Sequence, residues 1–243
     1  MSALTSSRTP FFAPAFVTRI SRVLVTIGLT LMAAIYAFPL VWMAISGLKT
    51  NQQIFTDPFA LPETWDFSIW LEAWQVGNLG RYALNSAIVT GTAVTVILIC
   101  ASLAAFAFSR YAFKGKGILM GVLSLGLLLP LQSYFIAQST MFNALYITNT
   151  RWALIIPYIA MGLPLATYLL TVYLQALPDE LFEAARIEGA SDFAIYRLVA
   201  IPLLRPGIAT VAIFSALNAW NEFLLALLYV QDDALKTIPT GLL

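Results

Sequence analysis

Apolar stretches of about twenty residues alternate with short polar segments along most of this chain. Five stretches cover residues of about 23–45, 82–108, 118–137, 152–174 and 208–230. A helix of roughly 20 residues crosses the hydrocarbon core of a bilayer, which is about 30 Å thick. Because a helix satisfies its own backbone hydrogen bonds in lipid, the pattern predicts an all-α integral membrane protein, a polytopic bundle with five spanning helices.

The first stretch is too long for a cleaved signal peptide and lacks a small-residue cleavage site, so we expect a retained helix. The chain would then consist of an N-terminal tail, residues 1–22, and a transmembrane domain, residues 23–243.

The polar segment between the fourth and fifth stretches, residues 178–206, is too charged for hydrocarbon and should lie in water at one membrane face. Its residues predict a helix, a break and a second helix. Pro178 suits a first helical turn, and Gly189 suits a left-handed helix end. Ser191 can cap a second helix to about Ala200, which Pro202 would end. The charged residues are Asp179, Glu180, Glu183, Arg186, Glu188, Asp192, Arg197 and Arg205.

Composition supports a membrane protein and excludes several other classes. Hydrophobic residues make up 60% of the chain and charged residues 10%, against about a quarter charged in soluble domains. The net charge of +1 gives no reason to expect a nucleic-acid partner. With no histidine and one cysteine, disulfides and histidine-based metal sites or catalysis are excluded.

The basic residues predict the orientation of the bundle. If five helices alternate, nine of the 13 Lys and Arg residues lie on one side, which the positive-inside rule makes cytoplasmic. The N-terminus and the polar segment would both be inside. The nine are Arg8, Arg19, Arg22, Arg110, Lys114, Lys116, Arg186, Arg197 and Arg205, and the other four are Lys49, Arg81, Arg151 and Lys236.

No motif for enzymatic chemistry accompanies these spans. Lys114-Gly115-Lys116-Gly117 lacks the upstream glycine and the following Ser or Thr of a phosphate-binding loop. HExxH and CxxC patterns are also missing from the sequence. We therefore expect neither catalysis nor ATP binding by this chain.

The polar segment resembles the EAA loop of membrane subunits in bacterial ATP-binding-cassette importers. The likeness is carried by Glu183-Ala184-Ala185, by Gly189, and by Val199-Ala200-Ile201-Pro202, at the family's spacing. Val199 and Ile201 stand where the family has Ile and Leu.

The rest of the chain, from about residue 20 to 243, is similar to carbohydrate-uptake permeases of the maltose-transporter type, in particular the smaller, six-helix subunit. The matching phrases are Ser46-Gly47-Leu48-Lys49-Thr50, Asn85-Ser86, Trp220-Asn221-Glu222-Phe223 and Thr237-Ile238-Pro239-Thr240. Members of this family continue for about one further helix, so the resemblance implies a sixth span. We expect that truncation explains why only five spans are predicted here.

The resemblance implies a permease subunit that forms half of the pathway of an ATP-driven importer for sugars or related polyols. The type I importer fold implies a second, homologous permease, two ATPase subunits that hold ATP and Mg, and an extracytoplasmic substrate-binding protein. The chain would be a multi-pass protein in the lipid of the bacterial inner membrane and would work by alternating access.

The resemblance also assigns roles in the polar segment. A helix over 179–188 would fit a cleft of the ATPase, with Glu183 as ionic anchor and Gly189 as its corner. Alternatively, Glu183 only stabilises its own helix end. Ala184 and Ala185 would permit close approach, and Leu181 and Phe182 would make apolar contacts.

One face of the fifth stretch contains candidate substrate contacts. Phe214, Asn218, Asn221 and Glu222 share a helix face, and a ring, amides and a carboxylate suit a sugar. Alternatively, Glu222 pairs with a neighbouring subunit or lies near the outer water. Pro164 can kink the fourth helix toward a cavity. Weaker candidates are Gln132, Ser133, Thr167, Tyr168 and Thr171.

Two other classes of protein remain as alternatives. A self-sufficient secondary transporter or channel would contain inverted repeats and several acidic residues near the membrane midplane. The apolar stretches contain one acid and no evident repeat. An integral membrane enzyme would need a catalytic constellation, which the motifs do not supply.

Overall fold

A computed structural model describes residues 15–130 and 133–243 of the chain. All regular structure within these ranges is helical, which confirms the predicted all-α class. The chain divides into two compact units, Met1–Glu72 and Ala73–Leu243. The helices are α1 (Ala15–Ser46), α2 (Asn51–Thr56), α3 (Ser68–Val76), α4 (Leu79–Arg110), α5 (Lys116–Leu128), α6 (Phe135–Ala144), α7 (Trp152–Gln175), α8 (Glu180–Ile187), α9 (Asp192–Ile195), α10 (Ile201–Asn221), α11 (Leu224–Tyr229) and α12 (Ile238–Gly241).

In the first unit, α1 is a long apolar helix followed by a closed turn. Its Ser21–Ser46 portion is long and apolar enough to cross a membrane, and none of that span is buried within the chain. After α1, the Lys49 ammonium lies 4.3 Å from the centre of the Trp42 ring and donates to the Pro58 carbonyl at 2.8 Å. Thr50 and Gln53 then form a reciprocal cap at the start of α2.

In the second unit, α4 and α7 pack closely against each other. Every fourth residue of α4, from Val89 through Ala93, Ile97 and Ala101 to Ala105, is 1% exposed or less. Such a row forms a ridge that fits the groove of a neighbouring helix. It contributes to two apolar clusters with α7, whose members include Ala166, Leu170 and Leu174 in one and Leu154 and Tyr158 in the other.

The helix that leaves the polar segment is continuous over Asp192–Asn221. The prediction that Pro202 ends it near Ala200 is wrong. A π-helical turn, Tyr196–Ala200, joins α9 to α10, and the Ile201 amide donates to the Tyr196 carbonyl. This wider turn accommodates a proline ring that would otherwise clash with the carbonyl four residues earlier.

Two of the five predicted spans are interrupted. The predicted helix over 118–137 ends at Leu128, because Leu129 precedes Pro130 and adopts an extended conformation with ψ 114°. The 13 residues of α5 are too few to cross the bilayer alone. Gln132 lies outside the described residues. The predicted helix over 208–230 breaks at Glu222, where ψ is 122°, and resumes as α11. The described residues thus contain four helices of spanning length, not five.

We predict that Gly162→Ala destabilises the α4–α7 contact. A Cβ at Gly162 would lie 2.5 Å from Cδ1 of buried Ile97, so Ile97 must move. We expect the free energy of unfolding to fall by about 1–3 kcal/mol, measured by thermal unfolding in detergent. Ile97→Val, which removes Cδ1, should restore part of this loss.

Gly91→Ala is the matched control, since a Cβ there would meet no heavy atom within 4 Å. Its stability should be unchanged or slightly higher, because alanine favours the helix. An unaltered unfolding midpoint for Gly162→Ala would contradict the close approach of the two helices.

Candidate functional site

The polar segment folds as a helix, a tight turn and a second helix, as predicted. At the end of α8, Gly189 has φ +81° and its amide donates to the Arg186 carbonyl at 3.0 Å. The next amide, of Ala190, donates to the Ala185 carbonyl at 3.0 Å. These two bonds form a Schellman motif, which requires a left-handed residue at this position. Ser191 then accepts a hydrogen bond from the Ala194 amide at 3.3 Å and caps α9.

One face of α8 is exposed and could contact a partner. Its residues are not all those that the sequence predicted. Glu183 and Ala184 are exposed, and Leu181 is 45% exposed. Ile187, which was not among the predicted contacts, is 87% exposed and belongs to the same face. Ile187 lies four residues after Glu183 and three after Ala184. Residues at these spacings share one face of a helix, so the sequence alone could have placed Ile187 on this face.

Phe182 does not lie on that face, which corrects its expected role as a contact for a partner. Its side chain is 1% exposed and belongs to the apolar cluster of α4, α7 and α10. Ala185 also packs against this cluster. The two residues attach α8 to its own chain, because the helix period places them opposite the open face.

Arg110, the last residue of α4, connects three helix ends. Its guanidinium forms an ion pair with the Asp179 carboxylate and a hydrogen bond with the Leu174 carbonyl. It also donates to the Leu177 carbonyl at 3.4 Å and lies 3.7 Å from the centre of the Phe182 ring. In the sequence, Arg110 indicates only the orientation of the bundle, since nothing in its local sequence points to these distant partners.

Tyr111 follows Arg110 and lies close to the turn of the polar segment. Burial raises the pKa of its hydroxyl, and the Asp192 carboxylate raises it further. The Tyr111 ring packs edge-on against Phe106 of α4 at 5.8 Å.

A cavity of about 330 Å³ lies between α4, α7 and α10. It contains three of the five predicted pathway residues: Phe214, Asn218 and Glu222. Asn221 and Pro164 do not line it. The Asn221 amide donates to its own helix at Leu217, and Pro164 is buried facing Gly126 of α5. The other lining residues are Ile97, Tyr158, Met161, Gly162, Leu165, Ala166, Leu169, Val211, Ser215 and Ala219.

Glu222 has partners within the chain. Its carboxylate accepts from the Tyr158 hydroxyl at 3.0 Å, from the Leu225 amide at 2.9 Å and from the Ala226 amide at 3.2 Å. The carboxylate therefore caps α11, at the break that the sequence did not predict, and connects it to α7. Tyr158 could not be identified from sequence, because it lies 64 residues away.

The Asn85-Ser86 pair fixes the segment that follows α11. The side chain of Asn85, which is 1% exposed, donates to the carbonyls of Ala234 and Lys236, each at 2.9 Å. Its oxygen accepts from Arg151 at 3.0 Å, while the Ser86 hydroxyl accepts from the Ile238 amide at 2.9 Å. Every polar atom of this buried amide is used for structure, which leaves none for a ligand.

The described residues contain no group of three or more His, Cys, Asp or Glu side chains placed to hold a metal ion. The two candidate functional surfaces are the exposed face of α8 and the cavity, whose lining includes the aromatic residues Tyr158 and Phe214.

Comparisons with known proteins agree on one family. Residues 97–241 match the family described as binding-protein-dependent transport system inner membrane component. The chain is 34% identical over 207 residues to the probable ABC transporter permease protein YurM of Bacillus subtilis, covering 85% of this chain and 69% of the relative. It is 34% identical over 217 residues to the diacetylchitobiose uptake system permease protein NgcG of Streptomyces coelicolor, covering 88% and 71%.

A third relative is the trehalose/maltose transport system permease protein MalG of Thermococcus litoralis, 32% identical over 225 residues, covering 92% of this chain and 81% of the relative. Among solved structures, a bacterial ABC transporter involved in the import of the acidic polysaccharide alginate has a similar chain. The TM-score is 0.75 at 22% identity, over 95% of this chain and 80% of that chain, a likeness of fold alone.

We predict that Glu222→Ala lowers stability, because α11 loses its cap and the buried Tyr158 hydroxyl loses its acceptor. We expect a loss of about 1–3 kcal/mol in the free energy of unfolding. A double-mutant cycle with Tyr158→Phe, measured by thermal unfolding, should give a non-additive result.

Asn218→Ala is the matched control, since Asn218 lies on the same cavity wall and its side chain has no hydrogen bond within the described part of the chain. It should leave stability unchanged. A Glu222→Ala variant as stable as the wild type would instead favour the role of Glu222 as a substrate contact.

Proposed function

This chain belongs to the family of inner-membrane components of binding-protein-dependent transport systems, and we propose that it forms half of the pathway of an ATP-driven importer for sugars or related polyols. The chain is an ABC transporter permease and not an enzyme, so ATP hydrolysis belongs to separate subunits.

The observation that carries the proposal is the connection between an exposed polar segment and a cavity. The chain runs directly from α7 into α8, and from the turn at Gly189 through α9 into α10. Both α7 and α10 line the cavity. A displacement of α8 by a partner would therefore move two walls of the cavity, as coupling to an ATPase requires.

Electrostatics and shape support the ATPase as the partner of α8. Glu183 supplies an exposed charge, Ala184 lets another surface approach closely, and Leu181 and Ile187 supply apolar contact. This face combines an ionic anchor with apolar contacts, a combination typical of a helix seated in a groove. Arg110 contacts the polar segment, so the end of α4 lies at the same face. The basic residues there support a cytoplasmic location for the polar segment. They are Arg110, Lys114, Lys116, Arg186, Arg197 and Arg205. A cytoplasmic N-terminus is part of the same proposal.

The partners that we propose are a second, homologous permease, two ATPase subunits with ATP and Mg, and a substrate-binding protein outside the membrane. Membership of a binding-protein-dependent family implies an ATPase and a binding protein. Loaded binding protein and ATP would together shift the complex between inward-open and outward-open states through differential binding.

The substrate class rests on the cavity and on the named relatives. Phe214 is 54% exposed and Asn218 is exposed, so a ring and a free amide face the space on α10. A sugar can stack its apolar face on the ring and bond its hydroxyls to the amide. Relatives that share about a third of their residues with this chain are named for diacetylchitobiose and for trehalose and maltose. Glu222 is already bonded within the chain, so we assign substrate contact to Phe214 and Asn218.

We predict that vesicles with the reconstituted complex import solute only when the ATPase subunits, ATP and loaded binding protein are all present. A thermal-shift screen of the binding protein should identify a sugar or polyol as its ligand. Full-rate import without the ATPase would instead support a self-sufficient transporter, and a ligand outside those classes would refute the substrate assignment.

We predict that Gly189→Asp abolishes ATP-driven import and leaves membrane insertion intact. An aspartate at φ +81° is strained, so the turn that orients α8 is distorted. The measurement is uptake of solute at equal amounts of inserted protein.

Gly115→Asp is the matched control, because Gly115 has φ +89° and open space around it, but lies in the turn before α5. It carries the same backbone strain outside the polar segment and should retain most import. Normal import by Gly189→Asp would count against the role of α8 in coupling.

A further inference from the structure

We infer that Arg110 is the positioning residue that makes α4 move with α8, so that all three walls of the cavity respond to the ATPase. This inference rests on the proposed function, since it concerns how the coupling helix is held. It assigns a role to a residue outside the polar segment.

The surroundings of Arg110 are unusual for a cation at a membrane face. Its side chain is 4% exposed, whereas that of its ion-pair partner Asp179 is 79% exposed. A buried guanidinium is stable only when it is paired and hydrogen-bonded. The two terminal nitrogens of Arg110 meet this condition through contacts with the C-terminal end of α7 and the N-terminal end of α8, while its Nε has no partner within the described residues.

The chemistry of these contacts requires arginine. The carbonyls of Leu174 and Leu177 lie at the C-terminal end of α7, where the helix dipole is negative. One nitrogen of the guanidinium serves these carbonyls while the other reaches the Asp179 carboxylate. The guanidinium carbon also lies over the Phe182 ring. An ammonium group has no such planar fork and cannot make the three kinds of contact at once.

The helix α8 is connected to all three walls of the cavity, but in two different ways. The chain itself connects α8 to α7 and to α10, but α4 is far from it in sequence. Arg110 supplies a direct contact from α4 to α8, and α4 contributes Ile97 to the cavity. Without Arg110, only the apolar packing around Phe182 and the contacts of Tyr196 transmit the motion of α8 directly to α4, so α4 follows α7 and α10 less closely and the cavity opens incompletely.

A separate contact holds α4 to the second arm of the polar segment. The Ser102 hydroxyl lies 2.8 Å from the Tyr196 hydroxyl in the π-helical turn, and the Phe106 and Tyr196 rings are 5.5 Å apart. These contacts do not involve Arg110. The fold should therefore survive its replacement, and the defect should appear in coupling.

The test uses the complete complex with its ATPase and binding protein in proteoliposomes. For Arg110→Ala we expect assembly and ATP hydrolysis to persist, while solute imported per ATP hydrolysed falls about tenfold through loss of a charge-assisted anchor. Arg110→Lys should recover import only in part, because it keeps the charge and loses the fork. Arg81→Ala removes the same charge from the exposed start of α4 and should keep the wild-type ratio.

Asp179→Ala breaks the same contact from its exposed side and should lower the same ratio. If Arg110→Ala fails to assemble, Asp179→Ala decides the question alone. A wild-type ratio of import to hydrolysis in these variants overturns the inference. If Gly189→Asp is uncoupled in the same assay while they transport normally, the proposed function stands and only this inference fails. Normal import by Gly189→Asp as well would remove the proposed function.

Discussion

The fit of α4 against α7 is the contact on which the other features of the second unit depend. It requires small or aliphatic residues at every fourth position of α4 and a glycine, Gly162, where Ile97 meets α7. In a lipid bilayer there is no hydrophobic driving force that brings apolar helices together. Close packing must therefore supply much of the attraction between the helices. The register fixed here places Arg110 at the end of α7 and aligns Tyr158 with the break after α10.

Three buried or partly buried polar or charged side chains near helix ends bond to other elements of the chain. Glu222 caps α11 and accepts from α7, while Asn85 holds the carbonyls of Ala234 and Lys236. At the opposite end of α4 from Asn85, Arg110 bonds to the end of α7 and to the start of α8. An unsatisfied group costs most in a medium without water, which explains why the irregular backbone lies against these side chains. The two ends of the bundle are thereby fixed, and the cavity lies between them.

The irregular turns of the polar segment determine how its two helices are connected to the cavity. The left-handed Gly189 separates α8 from α9, and the π-helical turn Tyr196–Ala200 carries the chain past Pro202 without a stop. As a result, the second helix of the polar segment continues without a break into the cavity wall. A transport subunit needs such continuity, because a flexible joint would absorb the motion that hydrolysis supplies.

The sequence by itself determined the all-α membrane class, the turn of the polar segment at Gly189 and its cap at Ser191. Apolar length, charge density and residue-specific backbone preferences act locally, so each can be predicted without a fold. The inward side of Phe182, the intrachain bonds of Glu222 and the role of Arg110 depend on residues distant in the chain. Those features were decided by tertiary packing alone, because a side chain's partners are set by which helices meet and in what register.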